Sequence, residues 1–147
     1  MRAALSCLSD RHIRWNRLGV PDGEVASRQA FVESALKTRL LPNTTLIAPF
    51  EHDGHPDREA VARISLSLAR RKGMEVLRYP IWAWHTATAG SWPGLEFVRF
   101  ELSAEAQLAK SRAIRCFASQ LDDAASPPVM PAHVLGYFSR PYETFLR

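Results

Sequence analysis

The chain has 147 residues, 46% of them hydrophobic and 23% charged, and a net charge of +4. That length fits one domain, residues 1–147, with a core of its own. No run approaches the roughly 18 apolar residues of a membrane span, and the sixteen Arg and three Lys are scattered, which argues against both a membrane and a nucleic-acid partner.

Residues 1–9 read as a helix. The stretch Met1 to Asp10 is too short and too soon interrupted for a secretory signal, so a cytoplasmic location is expected. Cys7 and Cys116 lie far apart in sequence, have no metal-ligand spacing and sit on apolar helical stretches. They read as buried free thiols. Ile13 to Trp15 suits a short strand, and Leu18-Gly19-Val20-Pro21-Asp22-Gly23 a turn. Ser27 to Leu41 reads as a helix with Phe31, Val32, Ala35 and Leu36 on one stripe, stopped by Pro42-Asn43.

Thr45 to Ala48 is an apolar run that reads as an interior strand. The turn after it is dense in His and Asp: Glu51-His52-Asp53-Gly54-His55-Pro56-Asp57-Arg58. A helix then runs from the turn to about Lys72. Pro56 suits its first position, where an N–H would go unpaired. Asp57 and Glu59 face the positive end of the helix dipole, Val61, Ile64 and Leu68 form the buried stripe, and Lys72-Gly73 closes it. A loop rich in His and Asp between a strand and a helix is where open α/β sheets build sites.

Glu75 to Tyr79 and Ile81 to Trp84 are strand-like, interrupted by Pro80. Leu95 to Leu102 alternates as a strand. Ser103 caps a helix running to about Leu121, with Glu105 in its first turn. Asp122 to Pro131 is a loop and Ala132 to Phe138 a short helix. This order argues for an α/β fold with a mainly parallel sheet.

Several of these segments resemble those of the PIG-L/LmbE-type deacetylases. Asp53-Gly54-His55-Pro56-Asp57 is similar to the family's second signature, Asp-Gly-His-Pro-Asp-His, with Arg58 in place of the last His. Leu18 to Gly23 resembles a Leu-Gly-hydrophobic-Pro-Asp-Gly stretch, Tyr79 to His85 a Tyr-Pro-Val-Trp strand, and Lys110 to Gln120 a late helix with a Ser/Thr-Gln pair. The resemblance implies a Rossmann-like, mainly parallel sheet with flanking helices. It implies a zinc-dependent hydrolase of N-acetyl groups on amino-sugar conjugates. It assigns His55 to oxyanion stabilisation and Asp57 to shaping the turn, the two catalytic candidates.

The family's first signature, His-Pro-Asp-Asp-Glu, is absent from these 147 residues. It would lie upstream of residue 1, so the expectation is a domain lacking the N-terminal βαβ unit. Arg58 stands where the third metal ligand is expected, and arginine has no lone pair for a metal. Zinc is therefore expected for the family but not for this chain alone. His52, Asp53, His55 and Asp57 could converge on a metal by themselves only in a tightly folded turn; the reading here is a turn that keeps the family geometry without metal.

Trp82, Trp84, His85 and Trp92 either line a sugar cleft or pack structurally; Asp53, Trp82 and Trp84 are the cleft candidates. His12 and His133 are isolated. No Gly-x-Ser-x-Gly elbow and no Gly-rich phosphate loop is present. The implied function is a deacetylase scaffold inactive as an isolated chain. The alternatives are a non-catalytic binding protein and one half of a split deacetylase. A missing strand beside residues 45–48 would leave an open edge, so self-association or a partner supplying the missing half is expected.

Overall fold

The computed structural model describes residues 2–9, 13–88, 90–121 and 130–147. In chain order the elements are α1 (Arg2–Leu8), α2 (Gln29–Lys37), β1 (Leu46–Pro49), α3 (Pro56–Lys72), β2 (Val76–Tyr79), α4 (Ala83–Thr86), β3 (Phe97–Glu101), α5 (Ala104–Arg115), α6 (Ala118–Leu121), α7 (Ala132–Phe138) and β4 (Tyr142–Leu146). Contacts divide the chain into two compact units, one of residues 17–98 and 144–147, the other of residues 1–16 and 99–143.

The fold is mixed α/β, with a four-stranded sheet of order β1-β2-β4-β3. β1 and β2 pair in parallel, from Leu46 opposite Val76 to Pro49 opposite Tyr79. α3 supplies the crossover that a parallel pair requires. β4 pairs antiparallel with β2, Arg78 opposite Leu146. Beyond it, Glu96 and Arg147 exchange backbone hydrogen bonds in both directions, at 3.4 and 2.8 Å, the pattern of an antiparallel neighbour.

The expected mainly parallel sheet is thus corrected. One helical crossover gives one parallel pair, and β4 enters antiparallel between β2 and β3. β1 is also not interior: it ends the sheet order.

α3 keeps the bounds its sequence signals set. Pro56 opens it, and Gly73 closes it with φ 62°, in the left-handed region open to glycine, its N–H reaching the Ala69 carbonyl. Ile64 and Leu68 are buried and pack with Val32 of α2, flanked by Leu18, Val20, Val25, Leu36 and Leu40. A second core joins Phe50, Ala83 and Leu146, with Trp92 and Leu95 against it. Both cores lie in the unit that carries the His/Asp turn.

Other expectations change. Ile13 to Trp15 is irregular and exposed rather than a strand. α2 is shorter than residues 27–41, and Phe31 faces solvent instead of joining the stripe. The helix expected to reach Leu121 breaks at Cys116, and α6 follows separately. Ser103 does cap α5, its Oγ accepting the Ala106 N–H at 3.1 Å. Of the loop expected over 122–131, only residues 130 and 131 are described; residues 122–129 and His12 lie outside the described residues.

Candidate functional site

The turn between β1 and α3 is organised by two buried carboxylates. Asp53 is 1% exposed. Its Oδ2 accepts a hydrogen bond from Arg58 Nη1 at 2.6 Å, and its Oδ1 accepts the backbone N–H groups of Ile81, at 2.6 Å, and Ala83, at 3.2 Å. A buried charge is tolerated when it is paired and hydrogen-bonded, and three donors achieve that here.

These bonds also explain why Ile81 to Trp84 does not become a strand. Its N–H groups are directed to a carboxylate 28 and 30 residues away in sequence. The chain turns after Pro80 and forms the short α4.

Asp57 holds a different segment. Its Oδ2 accepts the Gly23 N–H at 2.6 Å and its Oδ1 the Val25 N–H at 3.1 Å. Gly23 adopts φ 79°, in the left-handed region. The turn ending at Gly23 is thereby fastened to the first turn of α3. Gly54, also left-handed at φ 78°, donates its N–H to Glu59 at 3.0 Å.

Trp82 is 46% exposed and covers this turn. Its ring meets the His55 ring edge-on at 5.0 Å, and the Arg58 guanidinium lies 5.0 Å from the ring centroid, within cation–π range. The Nδ1 of His55 is buried without a hydrogen-bond partner. Asp53, His55, Arg58 and Trp82 thus come together as one cluster. Trp84 packs edge-on against Trp92, and Trp92 against Phe50, which extends the second core. His52 is exposed and touches Phe50 edge-on. His85 and His133 are exposed.

Sequence reasoning missed the ion pair behind the turn. Arg78 of β2 is buried and bonded to Glu51, whose other oxygen, Oε2, is buried without a hydrogen-bond partner. Burial pushes the neighbouring Tyr79 phenol above its ordinary range; Arg58 opposes that rise and Asp53 adds to it. An Arg in the middle of an apolar strand beside an acidic turn was the available signal for the pair.

Asp53, Asp57 and Arg58 do not fit as ligands of a zinc ion. Asp53 is taken up by three donors, Asp57 by two backbone N–H groups, and Arg58 has no lone pair. Among the described residues no group of three or more His, Cys, Asp or Glu could hold a metal. In the other unit, α5 and α7 border a cavity of about 410 Å³ lined in part by Lys110, Ile114, Arg115, Leu135, Phe138 and Arg140.

No protein-family model, curated protein or solved structure matches this chain.

Proposed function

We propose that this chain is a PIG-L/LmbE-like domain that retains the amino-sugar side of a deacetylase site and does not hydrolyse by itself. One observation carries the reading. Three separate segments that resemble the family, residues 18–23, 53–57 and 79–85, meet at one turn, tied by Asp57 to Gly23 and Val25 and by Asp53 to Ile81 and Ala83.

In this reading β1, α3 and β2 are the Rossmann-like part of the fold, and the turn at the carboxyl end of β1 is the ligand site. Trp82, 46% exposed with the Arg58 guanidinium over its ring, offers its remaining exposed surface to the apolar face of a pyranose. His55 stands beside it as a polar contact for the N-acetyl group. By the resemblance, Arg58 stands at the position of the family's metal-ligating His, and it pairs with Asp53 instead.

The experiment is a parallel assay of zinc content and acetate release. After dialysis against zinc, the chain is expected to hold well under one equivalent and to release no acetate from an N-acetylglucosaminide. Arg58→His is expected to leave both unchanged. Stoichiometric zinc together with turnover that His55→Ala abolishes would overturn the reading.

A split enzyme is the second reading, favoured by the outer edge of β1, which ends the described sheet. Leu46 and Phe50 donate their N–H groups toward β2, to the Glu75 and Tyr79 carbonyls. Alternation then turns Thr45, Ile47 and Pro49 to the outer side. Ile47 is 56% exposed, and no described strand covers that edge. A partner polypeptide, or a second copy, adding a strand there would satisfy its backbone groups.

A further inference from the structure

α1 packs against α5, and this contact brings together the only two cysteines of the chain, Cys7 and Cys116, 109 residues apart in sequence. Their Sγ atoms are 3.9 Å apart. Both are free thiols; Cys7 is half-buried and Cys116 exposed. This overturns the expectation of two separate buried thiols. Cys116 caps the end of α5, and its thiol also donates to the Arg112 carbonyl at 3.5 Å.

We propose that Cys7 and Cys116 form a reversible oxidation site that closes as an intramolecular disulfide, joining α1 to α5. The two sulfurs are in van der Waals contact, and bonding requires them to approach by about 2 Å, a distance that side-chain rotation can supply. The oxidant is a low-molecular-weight disulfide. One protein thiolate attacks it, forms a mixed disulfide and releases one small thiolate. The second protein thiolate attacks the protein-bound sulfur, forms the Cys7–Cys116 bond and releases the other. The two cysteines lose two protons and two electrons, and the oxidant becomes two small thiols.

The exposure of Cys116 suits it to the first, intermolecular step. The half-buried Cys7 is already adjacent for the second. The closed loop spans most of the chain, so the bond constrains the unfolded state strongly. Oxidation therefore acts as a staple on the N-terminal helix, present or absent according to the thiol poise of the surroundings.

The test treats the folded chain with glutathione disulfide and reads intact mass and peptide maps without reduction. The expected product is a monomer that has lost two hydrogens, with Cys7 and Cys116 peptides linked and no retained glutathione. Closure is expected to be at least about tenfold faster in the folded chain than in urea, because the fold supplies the effective concentration. Cys7→Ser is expected to accumulate a glutathione adduct on Cys116. The oxidised chain is expected to melt at a higher temperature than the reduced one, a shift absent in Cys7→Ser and Cys116→Ser. A stable wild-type glutathione adduct, disulfide-linked dimers, or equal rates in urea would each overturn the proposal.

Discussion

At the scale of single residues, Asp53 sets the terms. Its carboxylate is buried and charged, and Arg58, with its side chain 25% exposed, is its one side-chain counter-ion among the described residues. Removing that partner leaves a buried charge supported by two backbone N–H groups. Arg58→Met is expected to destabilise the chain by about 2–3 kcal/mol in urea unfolding, below the range for fully buried pairs because water reaches the guanidinium. The double variant Asp53→Asn, Arg58→Met is expected to lose less than the sum of the single changes. Additivity would mean that the pair is not coupled.

Tyr79 gives a pH signature. Its folded pKa is raised, chiefly by burial, so the folded state binds the phenolic proton more tightly than the unfolded state. Its contribution is fully present below the unfolded value, about 10, and is lost as pH rises through the higher folded value. Stability is therefore expected to fall in the alkaline range more steeply than in Tyr79→Phe. Identical alkaline limbs would contradict this assignment.

At the scale of elements, α3 is the part the sequence made most legible. Pro56, the acidic first turn, the Ile64 and Leu68 stripe and Gly73 all act within a few residues of one another. What was not legible depends on distant partners. Ile81 to Trp84 has strand-like residues, yet Asp53 captures its N–H groups from another part of the chain. β4 is not legible because five residues, Tyr142 to Leu146, carry too short an alternation to mark a strand without its neighbours. The candidate cluster is partly legible: the sequence marks His55, Asp53 and Trp82, but the role of Arg58 as the Asp53 partner depends on the fold.

Asp57 joins two elements, and that gives a local prediction. Asp57→Ala removes two hydrogen bonds to an ionised acceptor and a favourable helix-dipole contact. It is expected to cost about 2–4 kcal/mol and to raise amide exchange at Gly23 and Val25 above that of the rest of the chain. Uniform exchange with no local opening would show that the turn is held by other contacts.

At the scale of the whole molecule, β1 ends the sheet with Ile47 exposed beside an edge that no described strand covers. Pro49 on that edge has no N–H, which shortens it. Light scattering across a concentration series is expected to show association that Ile47→Lys weakens, since a charge on an edge strand opposes pairing. A strict monomer at every concentration would argue that this edge takes no second copy.

In the proposed reading, the turn that holds His55, with Trp82 over it, binds an amino-sugar conjugate without cleaving it. The most direct measurement is a proton–nitrogen NMR titration of the intact chain with a methyl N-acetylglucosaminide in zinc-containing buffer. The same spectra report any free acetate through its methyl signal. Saturable shifts centred on Gly54, His55 and the Ile81–Ala83 backbone, lost in Trp82→Leu, are expected, with no acetate signal over time. Acetate accumulating in step with the chain concentration, or saturable shifts that leave those residues untouched, would contradict it.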